Sequence, residues 1–155
     1  MAVKTVTDTF DIRLAIKTLK RFTPVIVNDA ADIVKKDITA GIEYGRDIKG
    51  KPLTPLLPAT IKAKRSKGVE FPRRILWEKG IMQNSYVNQR ATRRIPVAVL
   101  ICPKSRTEIG GYHQKGEGNN PVREWFGIST TAHKRIDEHI RIKLIEILRS
   151  GWGLK

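Results

Sequence analysis

Apolar residues recur at helical spacing near the start of the chain, as Phe10 and Leu14, and as Ile12, Ile16 and Leu19. Asp8 or Thr9 fits the N-cap of this helix. Pro24 interrupts the pattern. The pair Thr23-Pro24 suits a cap and first helical residue, so a second helix is expected to start there. Its apolar stripe is Val27, Ala30, Ala31, Val34, Ile38 and Ile42, which leaves Asp32, Lys35 and Lys36 facing water. Gly41 weakens its end and Gly45 stops it.

Residues 47–58, DIKGKPLTPLLP, contain three prolines and Gly50, which predict a turn followed by extended chain. Residues 59–67 form a short basic segment of one or two helical turns, and residues 66–74 read as a loop. From residue 81 to 102 the pattern changes to strand, with Tyr86 and Val87 and then the run IPVAVLIC. That run predicts a central strand covered on both faces, with Pro96 near its start. Residues 88–94, NQRATRR, suit a hairpin loop. Residues 103–106 suit a turn, and residues 108–112 a further strand or a short helix. Periodicity returns at residues 130–149, where Ile136, Ile140, Leu144, Ile147 and Leu148 share a face and Asp137 pairs with Arg141 on the other side. Ser129 or Thr130 caps its start and Gly151 its end.

These elements predict one domain over residues 1–155: a helical arm (8–45), an extended basic loop region (46–80), a sheet (81–128) and a C-terminal helix (129–150). The expected class is α+β, with N-terminal helices, a small mostly antiparallel sheet and the C-terminal helix packed on that sheet. No apolar run approaches the ~20 residues that span a bilayer, and the first ten residues lack a secretory apolar core, so no membrane partner is expected. Cys102 stands alone in an apolar run and reads as a small buried filler.

The net charge of +15 is unevenly placed. Residues 46–106 carry fifteen Lys/Arg against three Asp/Glu, whereas the segments on either side are nearly neutral. Lys62, Lys64, Arg65, Lys67, Arg73, Arg74, Arg90, Arg93 and Arg94 are the candidate contacts to DNA or to an acidic partner. They lack a base-reading motif and suit contacts to phosphates.

Catalytic chemistry finds little support. His133 and His139 are six apart on a helix and face different ways, and one cysteine cannot complete a zinc set. The central carboxylates, Asp47, Glu70 and Glu78, are too scattered for a two-metal nuclease. No cofactor, metal or catalytic residue is therefore expected. In residues 110–129, GGYHQKGEGNNPVREWFGIS, the glycines match no phosphate loop and suit tight turns at positive φ. This stretch reads as a structural corner made of His113, Gln114, Gly116, Arg123, Trp125, Phe126 and Gly127. His113 is expected to be a hydrogen-bonded structural residue. Arg123 either binds backbone carbonyls or stacks on Trp125 within the corner, or it faces a partner; the internal role is the expectation. Trp125 and Phe126 are a core and an interface anchor in one order or the other, on opposite faces if the segment is a strand.

Two blocks in this order resemble a known family. Residues 47–68, followed by RILWEKGIMQNSY at 74–86, are similar to the G-x-P/W-x-PL…T…K…G…iL…G-x-L-x-x-S pattern of phage virion-morphogenesis proteins, also described as tail-completion proteins. The matching positions are Gly50, Pro52, Leu53, Pro55, Leu56 and Thr60, then Ile75, Leu76, Gly80 and Ser85. Residues 110–129 resemble the same family's HQ-x-G…P-x-R-x-F-x-G-hydrophobic-S corner through His113, Gln114, Gly116, Pro121, Arg123, Phe126, Gly127 and Ser129. The likeness spans roughly residues 40–150.

The resemblance implies a non-enzymatic virion component that completes the tail or joins it to the head. It implies a homo-oligomer, a hexameric ring, located in the virion neck or tail and in the host cytoplasm during assembly. Neighbouring neck, connector and tail-tube proteins would be its partners, and virion DNA in the channel a nonspecific one. The alternative is a sequence-nonspecific nucleic-acid-binding regulator or packaging accessory.

Overall fold

The computed structural model describes residues 11–80, 82, 87–101 and 104–151. The expected cap at Asp8 or Thr9, the Ser85 match, the Tyr86 strand position and the environment of Cys102 lie outside the described residues. Helix α1 runs over Ile12–Tyr44. Asp11 is its N-cap: the carboxylate accepts from the backbone N–H groups of Arg13 and Leu14 at 2.9 and 3.0 Å. At the other end Gly45 adopts φ +63°, its N–H donates to Ile42, and Arg46 N–H donates to Gly41 at 2.9 Å. This paired closure suits a glycine because side-chain-bearing residues avoid that conformation.

Two expectations for this helix fail. There is no break at Pro24, which lies buried inside one continuous 33-residue helix. Pro24 has no N–H to give the Lys20 carbonyl, and one residue earlier the Thr23 hydroxyl donates to the Leu19 carbonyl at 2.9 Å. The ~3 kcal/mol disfavour of an interior proline is offset because a long partner helix lies along α1. Asp32 does not simply face water either. It accepts from Asn88 Nδ2 at 3.0 Å and pairs with Arg90 at 2.9 Å.

The chain next forms a tight turn closed by Asp47, then α2 (Pro58–Ser66), whose first residue is a proline that has no N–H to leave unsatisfied. Strands β1 (Val87–Gln89) and β2 (Val99–Ile101) pair antiparallel, Val87 opposite Ile101. They form the whole sheet among the described residues. The predicted central strand is thus much shorter than its apolar run and is not covered on both faces: Leu100 packs against the core while Val99 and Ile101 point outward. Pro96 lies before the strand, in the β1–β2 connection. Asn28 straps this connection to α1, with its amide giving and receiving hydrogen bonds with the Ala91 backbone at 3.1 and 2.8 Å.

Residues 104–115, read in part as a turn and in part as a strand or short helix, form helix α3 (Lys104–Lys115). Helix α4 (Thr130–Gly151) follows the corner and is capped by Ser129, whose hydroxyl accepts from Ala132 N–H at 3.0 Å. The elements are those of an α+β fold in the predicted order. However, α4 packs chiefly along α1 and not on the sheet, because three-residue strands cannot cover a 22-residue helix. The pairing is antiparallel: Trp125, just before α4, shares a buried cluster with Ile38 and Ile42, whereas His139 reaches back to Asp29 at 3.0 Å.

The buried seam of α4 also differs from the predicted face. Ala132 and Ile147 are buried and Ile136, Ile140 and Lys143 partly so, while Leu144 and Leu148 are exposed. Arg141 pairs with Glu138 at 3.5 Å in place of the expected Asp137. At the base of the α1–α4 pair, Ile38, Ile42, Met82 and Trp125 form the core, with Val34, Leu76, Leu100 and Phe126 packed against it.

Two adjacent glycines of α3 test this packing. A Cβ at Gly110 would lie 2.8 Å from the Trp125 ring, whereas one at Gly111 meets nothing within 4 Å. Gly110→Ala should destabilise by about 1–2 kcal/mol through overpacking, and Gly111→Ala should stabilise by up to about 1 kcal/mol through helix propensity. Urea unfolding of the two variants checks the opposite signs.

Candidate functional site

The corner is assembled from α3, the turn after it, and the chain that leads into α4. Gly116 ends α3 at φ +72°, and a Cβ there would also lie 2.7 Å from Val122, so both conformation and space require glycine. The turn returns the chain beside α3, where Arg123 N–H donates to the His113 carbonyl at 2.7 Å. Gln114 then reads the next two residues. Its side-chain oxygen accepts from the N–H groups of Trp125 and Phe126, both at 3.1 Å, and its amide donates to the Phe126 carbonyl at 3.1 Å. Trp125 Nε1 donates to the Gly110 carbonyl at 3.1 Å.

This segment is not a strand, so alternation does not separate Trp125 from Phe126. Their rings meet edge to face at 5.4 Å, Trp125 inside the core and Phe126 against it. Gly127 lies against Ile48, where an added Cβ would touch that side chain at 3.4 Å.

Arg123 is the centre of the corner and is 3% exposed. Its Nε donates to the Thr54 carbonyl at 3.0 Å and its Nη2 to the Pro55 carbonyl at 3.4 Å. Nη1 meets His113 Nδ1 at 3.0 Å. Since a guanidinium only donates, that Nδ1 is an unprotonated acceptor. All the partners are neutral, so burial pulls the Arg123 guanidinium down from its ordinary pKa. Burial, followed by the Arg123 and Lys64 charges, likewise holds the His113 imidazole below its usual range. Beside them, Ile48 N–H donates to the Glu124 carbonyl at 2.9 Å and Lys49 pairs with the Glu124 carboxylate. The corner therefore clamps both the 47–51 turn and the extended chain before α2. His113 is held as an acceptor for an internal cation, which leaves its Nδ1 unsuited to accept a substrate proton.

The candidate basic residues separate into distinct roles. Lys62, Arg65, Lys67 and Arg73 are exposed. Lys64, expected to face DNA or a partner, turns inward: its ammonium donates to the carbonyls of Arg74, at 2.8 Å, and of Trp77. Burial lowers its pKa, with Glu78 opposing and Arg123 adding to that shift. Arg74 is also committed internally, lying 4.1 Å from the centre of the Phe71 ring and 5.2 Å from that of Trp77. Arg90 is exposed but paired with Asp32. Arg93 and Arg94 are exposed in the β1–β2 connection. The structure thus gathers Lys62, Arg65 and Arg73 around one groove, lined by Pro55, Leu56, Pro58, Ile61 and Ile75. Arg90, Arg93 and Arg94 belong instead to the part strapped to α1.

Sequence reasoning missed the acceptors Thr54 and Pro55, which act through their backbone and so carry no side-chain signal. It also missed the inward lysine. Its signal was the position of Lys64 on α2, three residues after Ile61, on a helix too short to be charged all round. Among the described residues, no three His, Cys, Asp or Glu side chains gather as a metal set, and no helix is long and apolar enough to cross a membrane.

Arg123→Ala should destabilise by on the order of 3 kcal/mol, because it removes a buried guanidinium that serves two backbone carbonyls and the His113 acceptor. Arg123→Lys should recover little of this, since an ammonium cannot reproduce the guanidinium fork. Chemical denaturation of both variants measures the difference. A pH effect follows with a definite sign. The folded state resists protonating His113, so the unfolded state binds more protons below its own pKa of about 6.5, and stability falls as the pH drops through that value. His113→Asn keeps an acceptor for Arg123 without titrating. The stability lost between about pH 7.5 and pH 5.5 should therefore be smaller in this variant than in the unmodified protein.

No protein-family model, curated protein or solved structure matches this chain.

Proposed function

We propose that the chain is a structural component of a tailed-phage virion. It forms a ring in the neck or tail that completes the tail or joins it to the head, with its basic surface turned toward DNA or an acidic neighbouring ring. The observation that carries this reading is the division of labour among the residues of the family-like blocks. His113, Gln114, Gly116 and Arg123 are spent on building the corner, from which Arg123 braces the chain entering α2. Lys62, Arg65, Lys67 and Arg73, by contrast, hold their positive charge outward. Such a site suits passive adhesion to a polyanionic or acidic surface.

The helical arm supports self-association. Ile12, Ile16 and Leu19 form an exposed apolar stripe on α1, and Leu144 and Leu148 one on α4, beside the seam that joins the two helices. Stripes of this kind, left bare in a single subunit, suit contacts between copies. Six copies is what the resemblance implies.

Reversing Lys62, Arg65, Lys67 and Arg73 to Glu should spare the fold, because none of these residues builds the corner. Particles carrying this variant should show unjoined heads and tails in electron micrographs. Joined, infectious particles would contradict the role given to the basic surface. Absence of the protein from purified virions, with sequence-blind duplex binding by the free protein, would favour the regulator alternative.

A further inference from the structure

The groove beside α2 combines two features that do not suit the same simple ligand. Its floor is apolar, made of the half-buried side chains of Leu56, Ile61 and Ile75 between Pro55 and Pro58. Its rim is cationic, made of the exposed Lys62, Arg65 and Arg73, and none of the lining residues is acidic. On α2, Pro58, Ile61, Lys62 and Arg65 follow one another at helical i, i+3, i+4 and i+7 spacing, so the floor and much of the rim belong to one helical face.

Both walls are braced from behind. Arg123 holds the carbonyls of Thr54 and Pro55 on one side. On the other, Lys64 ties α2 to the backbone of Arg74 and Trp77, and Arg74 lies over the Phe71 ring. A braced groove loses little conformational freedom when it is filled.

We infer that this groove receives an acidic, amphipathic segment of a neighbouring protein, with apolar side chains on the floor and carboxylates against the Lys62, Arg65 and Arg73 rim. Duplex DNA would satisfy the rim through its phosphates, but its backbone offers no apolar side chain to cover Leu56, Ile61 and Ile75. A peptide that alternates aliphatic and acidic positions satisfies both, with apolar anchors supplying affinity and charge complementarity supplying orientation and rate. The inference rests on the assembly role proposed above for its choice of a protein neighbour. It selects the acidic protein partner over DNA for this part of the basic surface.

The test uses the full chain and three labelled helical peptides: one of Leu-Glu-Glu-Leu repeats, one with Ser in place of Leu, and one with Lys in place of Glu. A duplex DNA oligonucleotide is the fourth probe. Fluorescence anisotropy should show the Leu-Glu peptide binding at least ~10-fold more tightly than either altered peptide, a difference of about 1.4 kcal/mol. The rim variant Lys62→Gln/Arg65→Gln and the floor variant Ile61→Gln should each weaken that peptide by about tenfold, while Arg93→Gln/Arg94→Gln leaves it unchanged. Duplex binding should be insensitive to Ile61→Gln. Equal binding of the Leu and Ser peptides would overturn the inference, since charge alone would then account for it. So would an equal loss on changing Arg93 and Arg94, or a loss of duplex binding with the floor variant. The peptide series probes the floor with the protein unaltered, so it does not depend on how any variant folds. Because these readouts use isolated protein, they can fail while the virion role stands, and hold if the virion role fails.

Discussion

The buried guanidinium of Arg123 joins stretches of chain that are distant in sequence, and the rest of the basic half depends on it. A planar cation with several fixed donors can hold two successive carbonyls and an imidazole at once, which neither a lysine nor an apolar residue could do. By taking the carbonyls of Thr54 and Pro55, it places the start of α2. By taking His113 Nδ1, it fixes the same point against α3. Its charge has been removed from water to meet only neutral acceptors, so the arrangement is stable only while every acceptor is present. Burial first, and then this neighbouring charge, hold the His113 imidazole below its usual range, and a second cation at that point would repel the first and lose the bond.

Around that centre the molecule has two parts with different physics. The α1–α4 pair is an antiparallel helical arm with an apolar seam, continuous through Pro24 because breaking it would expose that seam. The basic half has little regular structure and is held by side-chain-to-backbone bonds: Gln114 on Trp125 and Phe126, Lys64 on Arg74 and Trp77, Asp47 on Lys49 and Lys51. Such bonds position loops without demanding a large core. They let a dense group of like charges stand outward on a braced surface, which is what a passive adhesion site requires.

Much of this was legible in the residues. The stop at Gly45, the short helix after the prolines, the Ser129 cap and the terminal helix all follow from local chemistry, and local chemistry decides them. An internal role for Arg123 was legible as an expectation, although its acceptors were not, because backbone carbonyls have no signature. Several of the failures share one cause, which is that a distant partner outweighed a local preference. Pro24 stays helical because α4 lies along α1. The apolar run before Cys102 yields only a short strand with two residues turned outward, since β1 is its partner and no layer covers its far side among the described residues. Asp32 and Lys64 read as solvated charges, yet each serves a segment that folds back on it.

Amide hydrogen exchange on the Arg123→Lys variant tests most directly whether Arg123 braces the α2 region. Loss of the guanidinium fork should speed exchange in α2 and in residues 67–77 while the α1–α4 seam keeps its protection, because opening in this half is local. If α2 exchanges as slowly in the variant as in the unmodified protein, the basic half is held by something other than Arg123, and the buried guanidinium is not its organising centre.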